Sequence, residues 1–534
     1  MKPAFSGAGL IVMIFLGLSS TTGCDLFVSR GGEGQPCFSE TSGCAGSLVC
    51  IQGTCRTAVT DGGDGGDIDL DGGDFAPDAG DLGDAGDDAG SGGDDSIDGG
   101  DGDGGNGGDD GGIVVHQIYR SVGYNNKNAL ATGDPISMTI SDISATFSAD
   151  LPLNVGVGDI IQYDTTGEGN VDSLAVIHGR NNGQSFVVAN AAGGKANAAD
   201  TVHWAVFRAY TSLSGALGMT ENSGIDGSLR DFDADAFDPK DLVGHQRVLN
   251  IACYADAVDN GETVYLDNWI TDENYFLRIF TPVDSSQVGV SQRHTGAWTA
   301  AAYTLGHVCA EYDELFTIGQ HMVVRIDGLQ IDKTGSGSQY CTAVMIENDA
   351  VVDLSNNIIR GTGTEGVGVF LSSKFALLRM WNNVVYDAAV NSGDGIHVGS
   401  NTQAFIYNNT IYNCFRGVYS EFNTSQAVVL KNNLAIGNSD YDFDADANFS
   451  TDSSNNCSSD DSAALAFEPD GITGASENDF KSAAGGDFHL KSDATCVNQG
   501  TNLDSDPNLP FSIDIDLQQR DDGPWDIGAD EYFP

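Results

Sequence analysis

Positive charge is scarce in this chain: 23 Lys and Arg stand against 77 Asp and Glu, a net charge of −54 with histidines neutral. A surface this negative repels phosphate backbones, which excludes nucleic acid as a partner. Sulfated or uronic polymers stay compatible, since a local basic patch or a bridging Ca2+ can hold them. Proline is sparse too, at 12 of 534 residues, whereas glycine reaches 70. That balance describes a strand-and-turn-rich chain long enough for several domains. The apolar stretch at residues 8–18 falls short of the roughly 20 residues that span a bilayer.

That stretch follows Lys2, as in an export signal. It leads into Thr21-Thr22-Gly23-Cys24, which resembles a bacterial lipobox, although Thr21 stands where that pattern prefers Leu. The resemblance implies that residues 1–23 are a lipoprotein signal peptide and that Cys24 is acylated. Ordinary signal-peptidase cleavage nearby is the alternative. One acyl chain holds a membrane marginally, and two or more hold it firmly. The expected location is therefore the bacterial cell envelope, with the lipid anchor in the outer membrane or at the cell surface. With Cys24 taken by lipid, ten of the 11 cysteines are left for an oxidising compartment.

Residues 24–60 carry this lipidated cysteine and a small module with Cys37, Cys44, Cys50 and Cys55 among Gly, Ser and Gln. So short a segment cannot bury a core, so two disulfides are expected to hold it, in any of three pairings. Residues 61–113 form a linker, with 18 Asp, 21 Gly and no Lys or Arg among the 52 residues 61–112. Such a segment buries too little apolar surface to offset chain entropy, and like charges extend it. A disordered tether is expected, with a coil span on the order of 40 Å.

Residues 114–205 read as a hairpin-rich domain, with strands at 136–147, 159–163, 173–178 and 184–188. Between two of these strands Asp164, Thr166, Glu168 and Asp172 fall at positions one, three, five and nine of a loop with glycine at six. That spacing suits Ca2+, but the twelfth position is Ala175, so the bidentate carboxylate is lacking. The same stretch also reads as a plain Gly-rich hairpin turn. No other cofactor is required.

From residue 206 onward the chain repeats itself. Asn-Asn pairs stand at Asn356-Asn357, Asn382-Asn383, Asn408-Asn409 and Asn432-Asn433, in steps of 26, 26 and 24 residues. A fixed period in this range means stacked supersecondary units. Apolar residues alternate before each pair, as in Val352 and Leu354 or Leu378 and Met380, which predicts strands. An amide recurring once per turn can bond to its copy above and below, so a polar group can sit inside the stack. Asp327-Gly328 reads as a degenerate earlier copy, 29 residues upstream. A second strand set aligns Val344, Val369, Ile396 and Val418 inward, together with Ile346, Leu371, Val398 and Ser420. Between them Met345, Phe370, His397 and Tyr419 form an external stripe. Glu347, Ser372, Gly399 and Glu421 form the next.

Asparagine columns after an apolar strand, followed by strands such as Gly395-Ile396-His397-Val398, resemble the right-handed parallel β-helix of the pectate lyase and polygalacturonase type. The tail, Phe488-His489-Leu490 with Arg520 and Asp526-Ile527-Gly528-Ala529-Asp530-Glu531, resembles the closing segment of bacterial surface β-helix proteins. The implied fold is all-β: a β-solenoid head over 206–534 with a C-terminal cap, after a β-rich segment and a disordered tether. In that fold the strand carrying His397 lines the carbohydrate groove.

The leading expectation is a monomeric head that binds extracellular polysaccharide, with Phe370, His397, Tyr419 and Glu347 as contacts. The alternative is a polysaccharide lyase or glycoside hydrolase acting through Asp394, His397 and Glu421. Against it, the paired-Asp and Gly-His-Gly motifs of the polygalacturonase type are missing, as is the Arg-rich signature of the pectate lyases. A non-catalytic adhesin or surface-structural protein is the third reading. Arg360 and Arg416 are placed in turns near the same face, with surface ion pairs as their default. Among the later cysteines, Cys341 and Cys414 share a column three coils apart, about 14 Å at strand spacing, too far for a disulfide. By position, Cys457 with Cys496 and Cys253 with Cys309 are the expected bridges.

Overall fold

The computed structural model describes residues 116–534 apart from short internal stretches, together with the strands Leu48–Ile51 and Thr54–Thr57. Cys24, Cys37, Cys44 and the Asp/Gly linker lie outside the described residues. Cys50 and Cys55 are register partners across the small antiparallel hairpin.

The alternating pattern does what its period dictates. Strands turn Val, Ile and Leu inward, and parallel stacking covers each coil with the next. Three parallel sheets of eight, seven and eight strands wind into a right-handed β-helix of about seven turns. One coil shows the path: Val351–Ser355 in the first sheet, Ile358–Gly361 in the third, Glu365–Leu371 in the second. Leu377–Trp381 then stacks on the starting strand. The inward columns are those expected, Val344–Val369–Ile396–Val418 and Ile346–Leu371–Val398–Ser420.

The two asparagines of each pair do different work. Asn357, Asn383, Asn409 and Asn433 are fully buried in the turn between the first and third sheets. Asn357 donates its backbone N–H (2.9 Å) and its Nδ2 (3.0 Å) to Asn383 Oδ1. Asn383 does the same to Asn409 Oδ1, at 3.0 and 2.9 Å. Each Nδ2 also reaches back to a carbonyl of the preceding coil, as from Asn383 to Leu354 at 2.8 Å. The first asparagine of each pair is left-handed, with φ between 49° and 55° at Asn356, Asn382, Asn408 and Asn432.

The ladder is longer than the sequence pattern indicates. Asn433 donates its N–H to Asn456 Oδ1 at 3.0 Å, and Asn455 takes the left-handed position at φ 52°. A polar, Ser-rich context hides this fifth pair. At the other end the expected alignment is corrected by one residue. Asp327 pairs in register with Ser355, so Gly328 (φ 80°) stands in the place of Asn356 and Leu329 in that of Asn357.

The strand His116–Gly123 pairs in parallel with Arg247–Tyr254 along its whole length. The boundary expected at 114–205 is corrected accordingly. The chain enters the solenoid at once, leaves it to build an eight-stranded antiparallel sheet between Ala131–Thr132 and Trp204–Phe207, and then returns. Ile118 and Val122, fully buried, cover the first coil, whose core would otherwise face water. A partner strand some 130 residues downstream leaves no local signal.

The closing segment docks on the outward asparagines. Asn382 Nδ2 donates to Ile513 O (2.7 Å), Asn408 Nδ2 to Asp526 O (2.9 Å) and Asn432 Nδ2 to Thr501 O (2.8 Å). Buried Arg520 locks this contact through Glu531 (2.9 Å) and Asn382 Oδ1 (3.0 Å). Cys457–Cys496 ties the segment to the last coils, as expected. The expected Cys253–Cys309 bridge is corrected: Cys309 joins Cys341, Cα atoms 6.1 Å apart, while Cys253 points into the core from the first sheet. Cys341 therefore does not pair with Cys414.

Substituting Asn383→Ala strips an acceptor from two donors of Asn357 and a donor from Leu354 O inside a dry stack. We expect a loss on the order of 2–5 kcal/mol in denaturant unfolding. A loss below about 1 kcal/mol would show that the ladder is decorative.

Candidate functional site

Gly393, the second residue of the strand Ser392–Val398, has φ 121°, a conformation that favours glycine. The next residue, Asp394, is sealed beneath the surface at 1% exposure. Arg416, its register partner one coil on, clasps it through Nε and through Nη2 at 2.9 Å. His397 Nδ1 lies 2.7 Å from Asp394 Oδ2, and Nε2 faces Glu421 Oε1 at 3.4 Å. Ser400 donates to Glu421 Oε2 from its hydroxyl (2.8 Å) and its backbone N–H (3.2 Å). The three residues singled out as catalytic candidates thus form one contiguous line: Asp394, His397, Glu421.

Their roles differ. Hydrolysis by paired carboxyls needs both acids presented across one glycosidic bond. Asp394 is buried, and both its oxygens are committed to Arg416 and His397. It acts instead on the imidazole, holding Nδ1 as the protonated nitrogen and aiming Nε2 outward. Glu421 is the acid at the surface. Burial pushes its carboxyl up, but the Ser400 donors and the His397 ring outweigh this and hold it below its ordinary value. An ionised carboxylate beside a fixed ring accepts hydrogen bonds from hydroxyls.

The external stripe is observed in register: Met345, Phe370, His397 and Tyr419 follow one another on adjacent strands. Ring centroids are 4.5 Å apart for Phe370–His397 and 4.8 Å for His397–Tyr419. Arg416 lies over the Tyr419 ring at 3.8 Å. Glu347 sits at the far end, where Tyr265 Oη donates to it at 3.4 Å. It is three strand spacings from Glu421, about 14 Å. Arg360 is corrected: it belongs to the third sheet, pairs with Asp332 at 2.7 Å and stacks on Trp298.

In the 164–172 loop, Asp164 Oδ1 accepts from Thr166 N (2.8 Å), Thr166 Oγ1 (2.9 Å) and Gly167 N (2.9 Å), and Oδ2 accepts from Gly169 N (2.6 Å). Asp172 turns to Thr165 instead (3.0 Å to its N–H). The loop closes as a hairpin turn on its own hydrogen bonds.

A groove of about 590 Å³ on the first sheet was not anticipated. Arg278 and Arg325 line it, adjacent in register and stacked on Phe280 and Phe276 at 4.3 and 3.8 Å, with Trp381 and Phe511 as further wall. Asp327, Asp353 and Glu273 pair with the arginines of this face. The Asn-Asn spacing could have found part of it, because Arg325, Asp353 and Arg379 follow in steps of 28 and 26 residues.

Residues 342–502 match the family model described as "Right handed beta helix region". The match includes Asp394, His397, Arg416 and Glu421. No curated protein matches the chain. Folds of this type occur in polysaccharide-acting enzymes and in adhesins.

Ser400→Ala removes the hydroxyl donor that helps hold Glu421 ionised. The Glu421 titration, followed by its carboxyl carbon shift, should move up toward the ordinary value. No movement, or movement down, would place the depression elsewhere.

Proposed function

We propose that the second-sheet face of the solenoid binds extracellular polysaccharide, with Phe370, His397 and Tyr419 stacking on sugar rings and Glu421 accepting from their hydroxyls. The observation that carries this reading is the in-register aromatic stripe on a rigid parallel sheet, flanked by an ionised carboxylate. Rings held by the backbone register lose little freedom on binding. The sealed state of Asp394 favours binding over cleavage, since only one acid of the pair meets the solvent. Glu347 extends the surface along the axis, as a linear polymer requires.

Retention on affinity gels of uronic and neutral polysaccharides, with and without Ca2+, tests this reading. We expect Tyr419→Ala to weaken retention about tenfold, the equivalent of about 1.4 kcal/mol of stacking. Undiminished retention in both Tyr419→Ala and His397→Ala would move the site off the stripe. Unsaturated products or new reducing ends would replace the binding reading with an enzyme. Neither retention nor cleavage across the panel would leave the adhesin reading.

The same proposal holds the head at the cell envelope through acylated Cys24, with the acidic linker as spacer. Labelled palmitate should enter the wild-type chain in an expressing bacterium and not Cys24→Ser. Label in the Cys24→Ser chain would refute the anchor.

A further inference from the structure

His489 stands on the strand Asp487–Leu490 of the closing segment, with carboxylates on both ring nitrogens. Nδ1 meets Asp487 Oδ1, and Nε2 lies 2.9 Å from Asp516 Oδ2. A ligand atom each from His489, Asp516 and Asp530 lies within 4.8 Å of the others. Among the described residues, no Lys or Arg pairs with Asp487, Asp516 or Asp530. Arg520 of the same segment is taken by Glu531.

Two carboxylates here are under-satisfied. Asp516 Oδ1 is shut off from water and has no hydrogen-bond partner. Asp530, at 5% exposure, accepts a single hydrogen bond, from Leu490 N at 2.7 Å, and has no ion pair. Asp516 Oδ2 is served by His489 and Gln518, so the unpartnered Oδ1 and the singly bonded Asp530 are the lone pairs left for a cation beside the ring. Asp487 on Nδ1 is the partner that orients a metal-ligating histidine, and an ion at this point would take the place of the hydrogen bond between Nε2 and Asp516 Oδ2. Gly296, at φ 70°, packs directly against the cluster: a Cβ there would fall 2.2 Å from Asp516 Oδ1 and 2.7 Å from His489 Nε2, so a side chain at this position would displace both ligand groups.

We propose that His489, Asp516 and Asp530 bind one divalent transition-metal ion, with Asp487 orienting the imidazole. A nitrogen donor with two carboxylates suits Zn2+ or its neighbours, whereas Ca2+ takes oxygen ligands. The three ligands come from separate parts of the closing segment, so the ion cross-links the cap that docks on the asparagine turns. Its role is to hold that cap.

The test uses the full chain, stripped with chelator and supplied with Zn2+ in millimolar Ca2+, which competes against Zn2+ held by carboxylates alone. After desalting, one Zn2+ should remain per wild-type chain, and the melting temperature should exceed that in Ca2+ alone. Asp516→Asn and Asp530→Asn should each bind Zn2+ at least about tenfold more weakly and lose the thermal gain. Gly296→Ala, which keeps every ligand but drives a Cβ against Asp516 and His489 at φ 70°, should also lose retained Zn2+, and Zn2+ retention rather than melting temperature is its readout. It carries the test if either acid variant fails to fold by circular dichroism. Absence of retained Zn2+ in the wild type would overturn the proposal. So would equal retention in the wild type and in the folded variants.

Discussion

One hydrogen-bond acceptor, the Oδ1 of a buried asparagine, governs this head. From Asn383 onward it receives two donors from the coil before, a backbone N–H and a side-chain Nδ2, and at Asn357 it receives the Leu329 N–H. A chain bending between two sheets must leave backbone groups without strand partners, and in a dry interior each one is costly. The ladder satisfies them with a side chain that repeats at the same pitch as the coils. The turn is thereby fixed, and the register of all three sheets follows from it.

The outward asparagines convert that regularity into a docking edge. Their left-handed backbone turns the chain at each corner, and their amides hold the carbonyls of residues 501–528. Arg520 and the Cys457–Cys496 bridge close the arrangement. The same register lines up Phe370, His397 and Tyr419 on the second sheet, because outward positions on parallel strands stack as faithfully as inward ones. The aromatic stripe proposed as a polymer-contact surface is thus a by-product of the device that holds the core. Placing Asp394 under Arg416 then stiffens the histidine without presenting a second acid.

The parts of this that repeat were legible in the sequence. The inward columns, the stripe and the Asp394–His397–Glu421 neighbourhood all follow from counting along alternating strands. What does not repeat was hidden. Asn455-Asn456 lacks the apolar flank that marks the other pairs, and His116–Gly123 finds its partner only after the intervening sheet. Ser400 reaches Glu421 through a turn, whose conformation strand counting does not fix. His489, Asp516 and Asp530 meet because an irregular segment folds back on itself, which no period announces.

Native-state hydrogen exchange tests the central claim most directly. The backbone amides of Leu329, Asn357, Asn383, Asn409 and Asn433 each donate to the Oδ1 of an asparagine in the next coil. If the ladder sets the register, these five should exchange only through global unfolding, with the protection of the central strands. Exchange through local opening, while the strands on either side stay protected, would contradict the account.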